Sequence, residues 1–212
     1  VADIERIRRI LGEEKLILIG HSFGAFLASL YAAEFPDRVR GLVLVAPATV
    51  LVFPAEGGGL TGEIGRLLPP EMAREYAGYL EAYFNFRDVF SKSESDLAFL
   101  NTRFGDYFRV AARAKGGAVP ESVEPGLQGG WMAQAMYFSM GKRHDYRAAL
   151  GRVAVPVLVL HGEKDIQPER ASRVYVESFP KAKFRVSRDA GHFPFIDQPV
   201  EFASAVGEFV SS

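Results

Sequence analysis

The stretch LILIGHSFGAFLASLYA, Leu16 to Ala32, decides how this chain is read. Its short unbroken apolar run ends on Gly20, which predicts a strand buried on both faces. Small residues from Ala25 to Phe35, stopped by Pro36, predict a helix. Between them stands Gly20-His21-Ser22-Phe23-Gly24, of the form G-x-S-x-G. By composition alone about one such chain in eight would carry that pattern by chance, so its context has to carry the argument. A serine on a tight strand-to-helix turn projects its hydroxyl off the sheet edge, with a helix N-terminus behind it. The flanking glycines are expected because a Cβ at either place would collide with a neighbouring element.

Working outward, Ile4, Ile7, Ile10 and Leu11 recur at helical spacing, with Asp3 as cap and Gly12 as stop. VRGLVLV, Val39 to Val45, predicts a second buried strand, so strand, helix and strand alternate as in a parallel sheet. From about Ala48 to Leu150 this rhythm is lost. Gly-rich turns alternate with helix-like segments such as EMAREYAGYLEAYF, no buried strand is evident, and aromatic residues concentrate. The expectation is a helical insertion over 49–150 that packs on itself and lies as a lid over an apolar pocket. The alternation resumes with PVLVLHGEKD, PERASRVYVESF, AKFRVS and PVEFASAVGEFV. One α/β unit, 1–48 and 151–212, is thus interrupted by the insertion.

Serine attacks only when an oriented base takes its proton. Of four histidines, His21 adjoins Ser22, but side chains diverge on a sharp turn and a structural role is expected. His144, in GKRHDY, reads as a solvated surface residue, and His161 as a packed residue at a strand end. His192, in RDAGHFPFIDQP after the last strand, falls at the same sheet edge as Ser22 if all strands are parallel. Asp165 follows a buried strand and fits the acid, with Glu163 as competitor; no carboxylate follows VRGLVLV, and Asp189 reads as a turn residue.

These segments, LILIGHSFGA, VLVLHGEKD and AGHFPFIDQP in the order nucleophile, acid, histidine, strongly resemble the α/β-hydrolase superfamily. The resemblance covers about Asp3 to Thr49 and Arg152 to Ser211, and the insertion matches in position as a helical cap. It implies an α/β-hydrolase fold with a mostly parallel sheet. It also implies Ser22 as nucleophile, His192 as general base and then acid, Asp165 as orienting carboxylate, and the Phe23 backbone N–H as an oxyanion donor. The family's second oxyanion donor and its first strands precede this segment, and nothing upstream of Ser22 matches them. The sheet's N-terminal half is therefore expected from a partner, an N-terminal fragment chain that pairs with the LILIG strand and supplies the other donor.

The layout is similar to the prolyl aminopeptidase branch, whose cap carboxylates grip a free amine. Glu56, Glu63, Glu71, Glu75, Glu81 and Glu94 are available for that role, whereas the segment around Trp131 carries no acid. Three functions follow for test: a serine esterase acting on small esters or amides, an aminopeptidase, and a non-catalytic hydrolase-like scaffold. Dehalogenase and epoxide hydrolase chemistry is disfavoured by a serine where a carboxylate nucleophile would stand.

Bulk properties are consistent with this. The formal net charge of −1 offers nothing to nucleic acid or an anionic membrane, and the absence of cysteine removes disulfides and thiolate chemistry. No apolar run reaches the roughly 20 residues that span a bilayer. Charged residues interrupt VADIERIRR where a signal peptide would be apolar, so a cytoplasmic location is the default. No metal or organic cofactor is implied.

Overall fold

The computed structural model describes residues 1–85, 87, 88, 91–120, 130–141 and 143–211, with residues 130–133 described by their backbone. Its centre is a four-stranded parallel sheet of β1 (Leu16–His21), β2 (Val39–Val45), β5 (Val157–Gly162) and β6 (Ala182–Ser187), in the order β1-β2-β5-β6. Leu42 to Val45 pair with Val157 to Leu160, and all eight of these residues are buried. Runs that bury both faces read as continuously apolar, which is why these two central strands were legible. Each such valine or leucine contributes about 2 kcal/mol through its removal from water.

One core lies between the sheet and α2 (Phe23–Glu34), with Phe26, Tyr31, Leu42, Leu44, Val159 and Tyr175 at its heart. Behind it stands α8 (Glu169–Ser178). The opposite face is covered by α10 (Pro199–Val210), whose Ala205 packs with Val43, Val45, Leu158 and Leu160.

Between β2 and β5 lie α3 (Gly59–Leu67), α4 (Pro70–Tyr83), α5 (Glu94–Lys115), α6 (Gly130–Met140) and the short α7 (Arg147–Leu150). Ile64, Leu68, Tyr76, Tyr107, Ala111, Ala112 and Ile166 form a second core there. Ser93 caps α5 by accepting from the Asp96 N–H, while the Asp96 carboxylate accepts from the Ser93 N–H, satisfying two end donors.

The segment also contains two short strands, neither of them buried: β3 (Val52–Phe53) and β4 (His144–Asp145), paired antiparallel across its two ends. Several expectations are corrected. His144 is half-buried there, with Nε2 2.7 Å from the Val50 carbonyl and Nδ1 3.1 Å from that of Met140. It is not a solvated surface residue; its ring ties the two ends of the segment together. In α1 (Ala2–Leu11) Asp3 lies within the first turn and Val1 is the N-cap, whereas Gly12 ends the helix in the left-handed region at φ 70° as expected. Of its apolar residues Ile4 packs against the core, but the others turn outward. Ile7, Ile10 and Leu11 are exposed, while Glu5 and Arg8 are buried. The reason is a network: the Glu5 carboxylate accepts from Arg8, Arg9 and the Tyr31 hydroxyl, and these arginines hold its pKa well below the usual carboxylate range. A paired, hydrogen-bonded charge cluster of this kind tolerates the inward face. Among the described residues β1 pairs on one side only, so it is the sheet's edge and not the strand buried on both faces that its apolar run predicts, with Ile19 53% exposed.

Candidate active site

Because all four strands are parallel, their C-terminal ends share one edge, and the loops that carry the predicted residues leave the sheet there. Ser22 follows β1 directly, Asp165 lies three residues past the end of β5, and His192 lies five past β6.

Ser22 adopts φ 54°, ψ −118°, outside the regions that non-glycine residues favour. Such a conformation costs about 1–3 kcal/mol and persists only where neighbours over-determine it. Here the Ser22 N–H donates to Val45 O at 2.9 Å, and the Ser22 carbonyl accepts from Ala48 N–H and Ala25 N–H at 3.1 Å each. The strained residue is thus held by the end of β2, by the loop after it and by the first turn of α2. Gly20 is required: a Cβ there would lie 2.4 Å from Gly24 O and 2.7 Å from Ala25 Cα. Gly24 differs from expectation, since a Cβ built on it meets nothing within 4 Å. Its side of the turn is open. The Phe23 N–H, first in α2, has no hydrogen-bond acceptor among the described residues, and neither has the Ser22 hydroxyl.

Asp165 and His192 are joined. His192 Nδ1 donates to Asp165 Oδ1 at 2.9 Å, and both side chains are buried. The same oxygen accepts from the Gln167 N–H at 2.9 Å. With Nδ1 directed at the carboxylate, Nε2 is the ring nitrogen left free of that bond. Asp165 Oδ2 is buried without a hydrogen-bond partner, with His161 Nδ1 3.7 Å away. Glu163, the competing carboxylate, is turned elsewhere: it accepts from the Asp189 N–H. Asp189 is a turn residue with φ 58°, paired to Lys164 at 2.9 Å.

The other histidines sort by partner. His21 places its ring 4.7 Å from that of His192, and its Nε2–H donates to His192 O at 2.8 Å. Burial, reinforced by the neighbouring His192, lowers its pKa to about 4, so it stays neutral and holds the loop rather than moving protons. His161 is buried with Nδ1 3.0 Å from Ser172 Oγ, and burial lowers its pKa too.

Gln167 was not anticipated. Besides its N–H on Asp165, its side-chain carbonyl accepts from Thr49 N–H and its amide donates to Ala46 O. It ties the loop carrying the acid to the loop after β2 that braces Ser22. A glutamine two residues past an aspartate gives no sequence signal for that; it needs the β2–β5 adjacency.

An apolar cavity of 270 Å³ is lined by Val50, Phe53, Phe84, Tyr137, Met140 and His144. A larger one of 420 Å³ is lined by Glu56, Arg66, Arg147, Arg170 and neighbours. Neither is lined by Ser22, Asp165 or His192. Three of the insertion's acids are paired with arginines: Glu63 with Arg66, Glu75 with Arg103 and Glu56 with Arg170. The side chain of Trp131 lies outside the described residues. Among the described residues no three His, Asp or Glu side chains gather as metal ligands, and no helix is long and apolar enough to cross a membrane.

Comparison with known proteins agrees with this layout. Residues 1–199 match the family model described as alpha/beta hydrolase fold. A proline iminopeptidase of Neisseria meningitidis is 27% identical over 215 residues, covering 94% of this chain and 67% of its own length. A pimeloyl-[acyl-carrier protein] methyl ester esterase of Nitrosomonas europaea is 28% identical over 187 residues, covering 87% of this chain and 67% of its own length. Among solved structures, the proline iminopeptidase of Mycobacterium smegmatis superposes with a TM-score of 0.63 at 17% identity, over 99% of this chain and 69% of that one. At that identity the last likeness speaks for the fold alone. The chain spans about two thirds of the length of these relatives.

Proposed function

The chain belongs to the α/β-hydrolase family, and on that premise we propose that it is a serine hydrolase of small esters or amides working through Ser22, His192 and Asp165. The observation that carries this reading is the buried Asp165–His192 hydrogen bond at the sheet edge where Ser22 is held in a strained turn. In the proposed reaction Ser22 Oγ attacks the substrate carbonyl while His192 Nε2 takes its proton. Asp165 holds the ring and stabilises the imidazolium. The Phe23 N–H, at the N-terminus of α2, donates to the developing oxyanion. His192 then gives its proton to the leaving oxygen or nitrogen as the tetrahedral intermediate collapses to an acyl-enzyme. Water, deprotonated by His192, attacks that ester and releases the acid and free Ser22.

Helices α3 to α6 serve as the cap over this edge. Phe108 of α5 stands 5.4 Å from the His192 ring, edge to face, so the insertion borders the reacting groups. The 270 Å³ apolar cavity shares Val50 and Met140 with the core cluster that includes Phe23, which supports a substrate with an apolar group. Glu56, Glu63 and Glu75 lie beside arginines, which weakens those three of the six acids as grips for a free amine and leaves ester against aminoacyl substrate to assay. The unpaired edge of β1, with Ile19 exposed beside it, supports a further segment that adds strands there and brings the second oxyanion donor. In the two-chain form of the proposal that segment is a separate polypeptide.

A fluorophosphonate probe tests the chemistry: labelling of the active protein, lost in Ser22→Ala, is expected. Labelling that persists in that variant would overturn the nucleophile assignment, and a folded protein that neither labels nor turns over ester would favour a scaffold. Hydrolysis of p-nitrophenyl acetate against proline anilide separates esterase from aminopeptidase. Intact-mass analysis of purified active protein tests assembly; full activity from the 23.3 kDa chain alone would exclude the partner segment.

A further inference from the structure

The long helix α5 ends at Gly116, in the left-handed region at φ 85°, and the residues around that end run against both loops of the proposed site. Lys115 Nζ donates to the main-chain carbonyl of Asp165 at 2.6 Å. Gly117 is in backbone contact with Gly191, the residue before His192. A Cβ on Gly117 would stand 2.8 Å from Gly191 Cα, and a Cβ on Gly191 would stand 2.6 Å from Gly117 Cα. Gly162, at the end of β5, meets the same point, since a Cβ there would fall 2.0 Å from Gly191 O. Three segments distant in sequence are thus stacked main chain on main chain.

One carboxylate closes this stack. Asp197, the last residue of the short helix α9 (Pro194–Asp197), accepts from Ala118 N–H on Oδ1 and from Gly191 N–H on Oδ2, each at 2.9 Å. Hydrogen bonds of an ionised acceptor to backbone N–H groups are the stronger kind, and both oxygens are used, one for each segment. The insertion and the base-bearing loop therefore share a single clasp, and the Lys115 bond adds the acid-bearing loop.

Resting on the triad reading above, we infer that Asp197 and Lys115 are positioning residues. They fasten Lys115–Ala118 of the insertion onto the loops carrying His192 and Asp165, so that the base is in register only while the insertion is docked. A misplacement of about 1 Å at a base costs about 100-fold in rate, so a clasp of this kind is worth one to two decades of turnover.

The test uses the full-length protein with Asp197→Asn, Asp197→Glu, Lys115→Met and the double variant Asp197→Asn/Lys115→Met. Asparagine keeps one acceptor and sets an NH2 against the other N–H, breaking one arm; methionine keeps the stem and removes the Nζ donor. Fluorophosphonate labelling rate, kcat and KM on p-nitrophenyl acetate per titrated site, and melting temperature are measured together. Expected for Asp197→Asn is a fall of about 10- to 100-fold in labelling rate and kcat with KM within about twofold, and recovery of most of the loss in Asp197→Glu. The double variant should lose less than the product of the single losses, because a strap already undone cannot be undone twice. A purely structural role would lower melting and the titratable fraction but leave kcat per titrated site unchanged, and that outcome overturns the inference. If Asp197→Asn does not fold, Lys115→Met carries the test, and wild-type kcat in it overturns the inference. Absence of labelling in the unmodified protein instead overturns the hydrolase reading, and the inference with it.

Discussion

Replacing Asp165 by asparagine is expected to slow turnover about a thousandfold while leaving the site's geometry in place. The direction follows from the two donors on Oδ1, His192 Nδ1–H and Gln167 N–H, each at 2.9 Å. A backbone N–H can only donate, so the asparagine must turn its carbonyl oxygen to that position and its NH2 to where Oδ2 stood. His192 then keeps the Nδ1–H tautomer and a free Nε2. Only the charge is lost. The imidazolium of the transition state and the carboxylate lie about 4 Å apart, where unit charges attract by about 4 kcal/mol at an effective dielectric of about 20. At about 1.4 kcal/mol per decade, that is about 10³ in kcat. An asparagine that reversed the tautomer would cost about 10⁴. Stability should change little, because Oδ2 is already buried without a hydrogen-bond partner. Turnover of p-nitrophenyl acetate per folded site gives the loss, and nitrogen NMR of the His192 ring gives the tautomer. A folded variant within tenfold of the parent would refute Asp165 as the orienting acid. A reversed tautomer would refute the argument from Gln167.

Four further outcomes are expected. Glu163→Gln should leave kcat unchanged, since Glu163 faces the Asp189 N–H; a loss above tenfold would return it as the acid. Gly20→Ala should destabilise by about 3 kcal/mol or more in urea titrations, because its Cβ would press on backbone at 2.4 Å. Gly207→Ala, on the exposed side of α10 with nothing within 4 Å, should instead stabilise by about 0.5–1 kcal/mol. The fourth concerns acid. His21 has a folded pKa of about 4 against 6.5 in the free state, so the unfolded chain binds more protons between those values. Stability therefore rises with pH through that window and is lost as pH falls from about 6.5 to 4; with the ring partly exposed, this amounts to about 2 kcal/mol. Melting of the protein and of His21→Gln at pH 7 and pH 4.5 checks it, and equal pH slopes would refute the assignment.

The two middle strands, β2 and β5, were legible because burial on both faces leaves an uninterrupted apolar run, and β2 and α10 fall where their residues predict, Val39–Val45 and Pro199–Val210. Ser22, Asp165 and His192 could be brought to one edge because parallel strands put every loop of that kind on the same side. The orientation of α1 was not legible. Period 3.6 shows that a helix has two faces, and a buried Glu5–Arg8–Tyr31 network reverses which one turns inward. Nor was the β3–β4 pair, since two residues on each strand carry no period. The open side of Gly24 and the reach of Gln167, Lys115 and Asp197 depend on which segments approach one another, and only the assembled chain settles that.

The contact at Gly117 and Gly191 has a mechanical meaning. An inserted segment secured only where it leaves and rejoins the sheet can swing like a door. This one is secured at those ends by the β3–β4 pair and again partway along, at the foot of α5. The 22 residues of α5 run about 33 Å from that foot, and Leu97, Asn101, Tyr107, Ala111 and Ala112 bury the helix along its length. The insertion is therefore anchored at three places rather than two, and the one beside His192 joins main chain to main chain.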